Sequence, residues 1–475
     1  MSSANALKPS ERMKIPRQEP LEQAPLDRVK NFSEVSLGFN EERARAEANR
    51  CLECKNPICI EGCPVGVDIR TFLQRIMERD YIGAVQVIRE TNYLPAICGR
   101  VCPQEEQCEA VCTMGKKHPP LAIGKLERFV ADWELEHNAF SPPAITTSRK
   151  EKVAVVGSGP AGLTCAAELA RKGYRVTIFE ALHAAGGVLR YGIPEFRLPR
   201  RILDIEIDRV KALGVEVMTN FLVGRTATID ELFGEWGFRA IFLATGAGTP
   251  AFMGIPGENL SGVYSANEFL TRVNLMKAYR FPDFDTPLAI GHDVAVVGGG
   301  NTAMDAIRTA RRLGAQHAYL VYRRSKEEMP ARAEEIHHAL EEGIDFRLLT
   351  NPVEILGNHD HRVSGMVCQR MELGVPDESG RRRPLPVPGS EFTLPVQTVI
   401  MAIGQSPNPI IQSTTPGLRT GKRGIVLVDD TQSTSRLGLY AGGDLSRGGA
   451  TVILAMRDGR VAASHIHQYL HSDGA

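Results

Sequence analysis

Residues 152–180, KVAVVGSGPAGLTCAAELARKGYRVTIFE, decide the predicted fold of this chain. A β-branched apolar run is typical of a buried parallel strand, and Gly157-x-Gly159-x-x-Gly162 follows it where a helical pattern begins. The first glycine allows a tight turn, the second lets backbone approach a pyrophosphate, and the third lets helix and strand pack closely. A second strand ends at Glu180, whose carboxylate can accept a hydrogen bond from a ribose hydroxyl. The unit predicts a dinucleotide site formed by Gly157, Gly159, Pro160, Ala161, Gly162 and Glu180.

The same layout recurs about 140 residues later, in DVAVVGGGNTAMDAIRTARRLGAQHAYLVYRR at 293–324. We interpret this recurrence as an internal repeat of the nucleotide-binding unit. The second strand of this copy ends at Arg323 and Arg324, and arginines can bind a ribose 2′-phosphate that a carboxylate would repel. A solvated basic strand end is the structural alternative. The sequence therefore predicts FAD at the first copy and NADP(H) at the second, the latter bound by Gly298, Gly300, Asn301, Thr302, Ala303, Arg323 and Arg324.

Further segments are candidates to complete the FAD site. The loop GGVLRYGIPEFRLP at 186–199 is rich in glycine, proline and aromatic residues, so it can shape the flavin environment or serve only domain packing. The strand AIFLAT leads into Gly246, and LYAGGD at 439–444 precedes a helical start at Thr451–Met456. A carboxylate and helix-start amides can then surround a second stretch of dinucleotide. The candidate residues in these segments are Gly187, Leu189, Arg197, Gly246, Gly443, Asp444, Thr451 and Val452.

Eight of the ten cysteines lie between Cys51 and Cys112, in two groups. The first group is Cys51-x2-Cys54-x4-Cys59-x3-Cys63-Pro, and the second is Cys98-x3-Cys102-x5-Cys108-x3-Cys112. Short spacings can direct several thiolates at one point, as a metal centre requires. Zinc sites usually have two tight CxxC pairs. The first group instead ends in a cysteine followed by proline, like the row of cluster-binding cysteines in bacterial ferredoxins. Beside two redox nucleotides we expect two iron–sulfur clusters, with zinc and disulfides as the alternatives.

Composition excludes several classes of function. Formal net charge is zero, which argues against a nucleic-acid surface, and no apolar run is long enough to span a membrane. The first residues contain no apolar signal core, so we expect a cytoplasmic protein.

Three local predictions complete the picture of the chain. Residues 1–40 are predicted to be an extended arm, 71–88 a single helix, and Arg381–Arg383 a solvated loop.

The predicted fold class is α/β, with two nested, doubly wound dinucleotide-binding domains (FAD and NADPH) preceded by a helical iron–sulfur domain. The helical domain with its two clusters is expected over 1–145 and the first part of the FAD domain over 146–290. The NADPH domain follows over 291–404, and the second part of the FAD domain over 405–475. The chain would leave the FAD domain, form the NADPH domain and return.

These motifs occur here in the order seen in the glutamate synthase small (β) subunit family, which the chain resembles from about Phe32 to His467. The architecture is also similar to the N-terminal half of dihydropyrimidine dehydrogenase and to the large subunit of NADH-dependent ferredoxin:NADP oxidoreductase and sulfide dehydrogenase. The resemblance implies two [4Fe–4S] clusters with crossed ligation. It assigns Cys51, Cys54, Cys59 and Cys112 to one cluster, and Cys63, Cys102, Cys108 and Glu127 to the other. Cys98 would be a neighbour of the second cluster and not a ligand.

The implied function is an electron-input module that oxidises NADPH and feeds a larger subunit, which makes glutamate from glutamine and 2-oxoglutarate. A bifurcating ferredoxin:NADP or sulfide oxidoreductase with a smaller flavoprotein partner is the alternative. A non-catalytic scaffold would not need intact glycines, Glu180, both strand-end arginines and every ligand cysteine. We expect a hetero-oligomer with another redox subunit, and neither nucleic acid nor membrane as a partner.

Overall fold

A computed structural model describes residues 7–472 of the 475-residue chain. The helices, numbered along the chain, are α1 (Pro9–Arg12), α2 (Pro25–Arg28), α3 (Glu41–Ala48), α4 (Ile58–Glu61), α5 (Ile69–Met77), α6 (Tyr81–Arg89), α7 (Pro95–Val101), α8 (Ile123–Glu136), α9 (Pro160–Arg171), α10 (Val188–Tyr191), α11 (Arg200–Lys211), α12 (Ile229–Gly234), α13 (Ala266–Asn274), α14 (Asn301–Arg312), α15 (Ala333–Glu341), α16 (Ile410–Thr414), α17 (Asp444–Arg447) and α18 (Val452–Ser472). The strands are β1 (Leu21–Glu22), β2 (Ser36–Gly38), β3 (Lys152–Val156), β4 (Arg175–Phe179), β5 (Glu216–Met218), β6 (Phe238–Leu243), β7 (Thr249–Pro250), β8 (Val263–Ser265), β9 (Asp293–Val297), β10 (His317–Val321), β11 (Asp345–Arg347), β12 (Thr350–Gly357), β13 (Val363–Pro376), β14 (Arg382–Pro386), β15 (Phe392–Leu394), β16 (Thr398–Met401), β17 (Gln405–Ser406) and β18 (Leu439–Ala441).

The N-terminal arm is more structured than its composition predicts. Its described part contains α1, α2 and the antiparallel pair β1–β2, whereas residues 1–6 of the predicted arm lie outside the described residues. Arg28 fastens the arm to the second nucleotide domain, because its buried guanidinium pairs with Glu342 at 2.9 Å and Glu341 at 2.8 Å. A buried pair leaves a costly uncompensated charge when one partner is removed, so these contacts fix where the arm lies.

The helical domain contains α3 to α8, and its predicted 71–88 helix is in fact two helices. Arg79 between α5 and α6 has a φ of 64°, which interrupts the helical backbone. Asp80 then caps α6 by accepting a hydrogen bond from the Gly83 N–H at 2.8 Å. The prediction of one helix was wrong because the apolar period continues across the break and conceals the cap.

Two five-stranded parallel sheets confirm the α/β class, with strand orders β18-β6-β3-β4-β5 and β11-β10-β9-β16-β8. In the first sheet the last strand along the sequence, β18, lies at one edge beside β6, so the chain returns to this sheet after forming the second. Helices α9 and α18 pack against each other on this sheet. Gly459 permits the close approach, because a Cβ at this position would lie 2.3 Å from the Ala161 carbonyl oxygen.

The limits of the two nucleotide domains follow from sheet membership. Strand β8 belongs to the second sheet although it precedes residue 291, so a limit at 290 separates an edge strand from its sheet. The antiparallel ribbon β7–β17 lies where the chain crosses between the domains. An antiparallel insert of β12, β13, β14 and β15, which the sequence analysis did not predict, extends the second domain.

The core explains how the helical domain is positioned. One continuous cluster of buried apolar side chains joins it to the first nucleotide domain, with Ile97 of α7 and Met456 of α18 among its members. The second nucleotide domain has its own core around α14.

Within residues 7–472, no helix has the length and apolarity needed to cross a bilayer.

Candidate active site

The first glycine turn has the geometry that a pyrophosphate requires. Gly157 has a φ of 105°, and a Cβ there would lie 2.4 Å from the Ala244 carbonyl oxygen. A Cβ at Gly162 would lie 1.9 Å from the Gly157 carbonyl oxygen, so this glycine permits the close packing of α9 on β3. Gly187 approaches from the other side, where an added Cβ would be 2.9 Å from Gly159 Cα. Any side chain would therefore fill this backbone cradle.

Glu180 ends β4 as an oriented, buried carboxylate. Its Oε2 accepts a hydrogen bond from the Ser158 N–H at 3.1 Å and another from the Ser158 hydroxyl. Its Oε1 accepts one from the Leu182 N–H at 2.9 Å. The side chain is 6% exposed, so these donors compensate for the cost of burying its charge. Ser158 was missed in the sequence because it occupies a variable position inside the glycine motif.

A cavity of about 520 Å³ opens at this turn and is large enough for a bound dinucleotide. It extends to the start of α14 and to the beginning of α18. The predicted residues that line it are Gly157, Gly159, Pro160, Ala161, Glu180, Gly187, Arg197, Gly246, Asn301, Thr302, Gly443, Asp444, Thr451 and Val452. The side chain of Leu189 lies in the apolar core instead.

Asp458 is a buried carboxylate that the sequence analysis missed. It accepts a hydrogen bond from the Gly443 N–H at 3.0 Å and pairs with Arg447, so it fixes the turn that precedes α17. An acid directly after the apolar run at 452–456 and Arg457 was the available signal. Next to it, burial raises the pKa of Asp444, while its Oδ1 accepts the Ala450 N–H at 3.1 Å.

The second glycine turn repeats the first. Gly298 has a φ of 144°, and a Cβ there would lie 2.3 Å from the Ala402 carbonyl oxygen. At Gly300 an added Cβ has room, with its nearest neighbour 3.9 Å away. Asn301 begins α14 and accepts a hydrogen bond from the Arg332 N–H at 3.0 Å. Ala303 is fully buried, which agrees with a packing position in the motif.

The two strand-end arginines have different surroundings. Arg324 is 5% exposed, pairs with Asp377 at 2.6 Å and donates to the Arg382 carbonyl at 2.8 Å. Arg323 is exposed and makes no hydrogen bond or ion pair with the other described residues. The prediction of a solvated loop over 381–383 was wrong, because β14 begins at Arg382 and that side chain pairs with Glu328 at 2.6 Å. Of the two strand-end arginines, only Arg323 is available to a ligand.

Arg197 joins the two nucleotide domains at the cavity. Its guanidinium contacts both oxygens of Asp305 in α14, at 2.7 and 2.8 Å, and Glu335 of α15 at 2.9 Å. Both partners are buried, so the arginine is held in one orientation. Asp305 is a cavity residue that the sequence analysis did not select.

The first group of ligands that the resemblance implies, in which Cys112 takes the place of Cys63, is assembled around its own small cavity of about 30 Å³. Cys51, Cys54, Cys59 and Cys112 all line it. Burial raises the pKa of Cys51 to about 11 and that of Cys59 to about 12, and the neighbouring thiolates add to both shifts. Thiolates in this position need a nearby cation, which an iron centre supplies.

The spacing of the donor atoms argues against zinc. Four sulfurs around one zinc ion at about 2.3 Å would lie about 3.8 Å from each other. In the described part of the chain no three cysteine sulfurs lie within 4.8 Å of one another. The donor set therefore fits a cluster better than a single ion.

The second group brings Glu127 together with cysteines from three separate segments. Burial raises the pKa of Cys63 to about 11, and the charge of Glu127 adds to that shift. The pKa of Cys102 is raised chiefly by its hydrogen bond with Cys98 and that of Cys108 chiefly by burial, with Glu127 among the smaller causes of both shifts. Burial raises the pKa of Glu127 itself to about 8. Glu127 is therefore close enough to all three cysteines to affect their titration.

Cys98 and the residues beside Cys102 connect this group to the nucleotide cavity. Cys98 is fully buried, with its sulfur 3.5 Å from Met456 Sδ on α18. Val101 and Pro103, which flank Cys102 in sequence, line the 520 Å³ cavity. The second cysteine group is therefore a direct neighbour of the nucleotide cavity.

Comparison with known proteins agrees with this architecture. A family described as dihydropyrimidine dehydrogenase domain II, 4Fe-4S cluster, matches residues 28–139, and one described as pyridine nucleotide-disulphide oxidoreductase matches residues 151–459. The glutamate synthase [NADPH] small chain of Halomonas elongata is 36% identical over 463 residues, which cover 96% of this chain and 97% of that protein.

Two further similarities concern longer or more distant proteins. The NADP(+)-dependent formate dehydrogenase subunit beta of Moorella thermoacetica is 42% identical over 87% of this chain, which spans only 60% of that protein. The structure of Mycobacterium tuberculosis FprA in complex with NADPH covers 69% of this chain and 86% of its own, with a TM-score of 0.58 and 21% identity, and shows a common fold.

The matched families and the site agree on the types of cofactor, which are FAD, NADPH and 4Fe–4S. The near-complete mutual coverage with a small chain settles the family. The chain belongs to the glutamate synthase [NADPH] small-chain family and is an NADPH-dependent oxidoreductase.

Proposed function

We propose that this chain is the electron-input subunit of a glutamate synthase, which passes electrons from NADPH to a large subunit that makes glutamate from glutamine and 2-oxoglutarate. One observation supports this most strongly. A single cavity is lined by the first glycine turn, by Asn301 and Thr302 after the second turn, and by Val101 and Pro103 beside Cys102. Groups bound at the three sites would be neighbours, as electron transfer requires.

The proposed nucleotide roles rest on the two glycine turns and on the residues that follow the second strand of each copy. The cradle at Gly157 and Gly159 binds the FAD pyrophosphate, and Glu180 accepts a ribose hydroxyl. The start of α14 receives the NADPH pyrophosphate, and Arg323 binds its 2′-phosphate. When bound, FAD supplies the conversion of a two-electron hydride donor into single electrons, which the clusters carry onward.

The cysteine residues suggest the order of the two clusters. Cys102 and Cys108 of the second group are buried, and the residues that flank Cys102 line the cavity, whereas Cys63 and every thiol of the first group are partly exposed. We therefore assign the group with Glu127 to the cluster nearer the flavin, and the group with Cys51 and Cys112 to the exit toward a partner.

Iron content and partner dependence test the proposal. Anaerobically purified protein should carry about eight irons per chain, as two four-iron clusters. With NADPH it should reduce ferricyanide when isolated, and it should form glutamate only after a large glutamate synthase subunit is added. Stoichiometric zinc without iron, or glutamate formation by the chain alone, would contradict the assignment.

A second candidate is electron exchange between NADP and a formate dehydrogenase. The 42% identity to the Moorella protein exceeds the 36% identity to the Halomonas small chain, although this chain spans only 60% of the former. Isolation of the native complex separates the candidates, because a formate-oxidising subunit would support the second and a large amidotransferase the first. Ferredoxin reduction with a small flavoprotein would instead favour a bifurcating enzyme.

A further inference from the structure

Asn92 lies between Glu127 and Cys98, next to the second cysteine group. It lies in the short turn between α6 and α7 and is 1% exposed. Its Nδ2 donates to Glu127 Oε1 at 2.6 Å, and its Oδ1 accepts from the Leu94 N–H at 2.9 Å. The sulfur of Cys98 lies 3.7 Å from the same Oδ1. Both ends of one buried amide are therefore in use.

The backbone determines which end of the amide faces Glu127. A main-chain N–H can only donate, so the end of Asn92 beside Leu94 must be its oxygen. The NH2 group then points to Glu127, whose Oε1 must act as the acceptor. Asn92 thus occupies one carboxylate oxygen of Glu127 and leaves the other free to bind.

The turn that contains Asn92 is anchored. The Asn92 N–H donates to the Ile88 carbonyl at 2.9 Å. The Thr91 carbonyl accepts a hydrogen bond from Arg460 of α18, and Arg460 also pairs with Glu168 of α9 at 3.1 Å. Asn92 is therefore held from both the helical domain and the first nucleotide domain.

We propose that Asn92 is a positioning residue that orients Glu127 as the non-cysteine ligand of the second cluster. This inference rests on the proposed function, in which Glu127 is that ligand. A glutamate side chain has three rotatable bonds, so one fixed oxygen greatly restricts where the other can lie. Hydrogen bonds of this kind orient metal ligands, and their loss typically weakens metal binding about 10- to 100-fold.

Two substitutions separate the contact with Glu127 from the contact with the turn. Asn92→Ala removes both hydrogen bonds, whereas Asn92→Asp keeps an oxygen for the Leu94 N–H and replaces the donor to Glu127 with an acceptor. Asn274→Ala is the matched control, because this buried asparagine donates to the backbone carbonyls of Tyr191 and Gly192. Glu127→Ala shows how iron content, spectrum and potential change when the proposed ligand itself is lost.

The readouts are iron content, the electron paramagnetic resonance spectrum of the reduced protein, and the midpoint potential of each cluster, all measured anaerobically. Both Asn92 variants should change the signal and potential of the cluster that Glu127→Ala changes, or lower iron from about eight to about four per chain. The other cluster should keep its signal, and Asn274→Ala should leave both unchanged.

The outcomes distinguish this inference from the proposed function. If Glu127→Ala alters one cluster but both Asn92 variants match the unmodified protein, the positioning role is wrong and the ligand assignment stands. A change in Asn92→Ala that Asn92→Asp rescues would reduce Asn92 to a turn residue and overturn the inference. If Glu127→Ala leaves both clusters unchanged, the ligand assignment fails, and the inference fails with it.

Discussion

Glu180 directly follows β4, whereas Arg323 and Arg324 lie two and three residues beyond the end of β10, and the two kinds of side chain are held differently. Tyr322 is the residue of the second domain that matches Glu180, because Phe179 and Val321 each accept the N–H of the first glycine of their turn. Glu180 is buried and already accepts hydrogen bonds from the N–H groups of Ser158 and Leu182. Arg323, in the second domain, is exposed and makes no hydrogen bond or ion pair within residues 7–472. The first site is therefore organised before any ligand binds, whereas the second presents one exposed cation.

This difference matches the proposed roles of the two sites. A resident cofactor benefits from a rigid acceptor, because the cost of ordering that group is not incurred on binding. A nucleotide that must dissociate after each turnover is better served by an exposed arginine, which can bind the 2′-phosphate while the site stays open to solvent. On this proposal one glycine motif supports both behaviours, with a buried acid after β4 and an exposed arginine beyond β10.

Alanine at the first glycine of each turn should have the largest effect and should separate the two sites. At Gly157 or Gly298 the new Cβ would meet a carbonyl oxygen at 2.4 or 2.3 Å, with φ positive in both cases. Backbone strain of about 1–3 kcal/mol corresponds to a loss of roughly 5- to 150-fold in nucleotide affinity. Gly157→Ala should lose FAD on gel filtration, whereas Gly298→Ala should keep FAD and raise the KM for NADPH.

Gly234→Ala is the control for this pair, because it lies in α12 with open space around its Cβ position and an ordinary φ. Flavin absorbance and NADPH–ferricyanide kinetics should both stay unchanged in this variant. Retention of FAD by Gly157→Ala, or its loss from Gly298→Ala, would reverse the assignment of the two sites.

The strand-end arginines should give the next largest effect, and they should not behave alike. Arg323→Ala should raise the KM for NADPH about 10- to 100-fold and leave that for NADH nearly unchanged, because a charge-assisted contact with the phosphate contributes about 1.5–3 kcal/mol. Arg324→Ala should instead lower the melting temperature, because it leaves Asp377 without its partner and frees the β13–β14 hairpin.

Steady-state kinetics with both nucleotides and a thermal melt on each variant test this division. Arg383→Ala removes an exposed arginine from β14 and serves as the charge-matched control for both measurements. An equal rise in KM for the Arg323 and Arg324 variants would mean that both arginines bind the phosphate and that Arg324 releases Asp377 when NADPH arrives.

The local parts of this architecture could be predicted from sequence, because their causes are local. The strand at Lys152–Val156 and its repeat at Asp293–Val297 follow from short apolar runs ahead of a glycine turn, and both predictions are confirmed. Cys112 lies with Cys51, Cys54 and Cys59, so this set crosses the two groups that the spacing suggested, as the family resemblance implied. The sequence could not reveal hydrogen-bond and ion-pair partners that lie far apart along the chain.

Arg324 illustrates that limit. Its identity at a strand end predicts a phosphate contact, but Asp377, 53 residues later, satisfies its charge. The β12–β15 insert that carries Asp377 has no motif of its own, so nothing in the local pattern indicated this pairing. Asp458 and Asn92 were missed for the same reason, since each acts on a residue of another segment.

Glu180→Gln should have the smallest effect of the three predictions and tests whether the first site depends on charge or only on shape. Glutamine has the same size and keeps one oxygen, but its NH2 group cannot accept from the Ser158 or Leu182 N–H. Charge-assisted hydrogen bonds are about twice as strong as neutral ones, so FAD affinity should fall by about 1 kcal/mol, or roughly fivefold. FAD titration of the deflavinated protein measures this, with Glu216→Gln on the exposed end of β5 as the control.

The same variant tests whether the two nucleotide sites are independent. Because NADPH binds at the other turn, the KM for NADPH should not change in Glu180→Gln. A change in that KM equal to the loss of FAD affinity would show that the two sites are coupled and not independent copies of one motif.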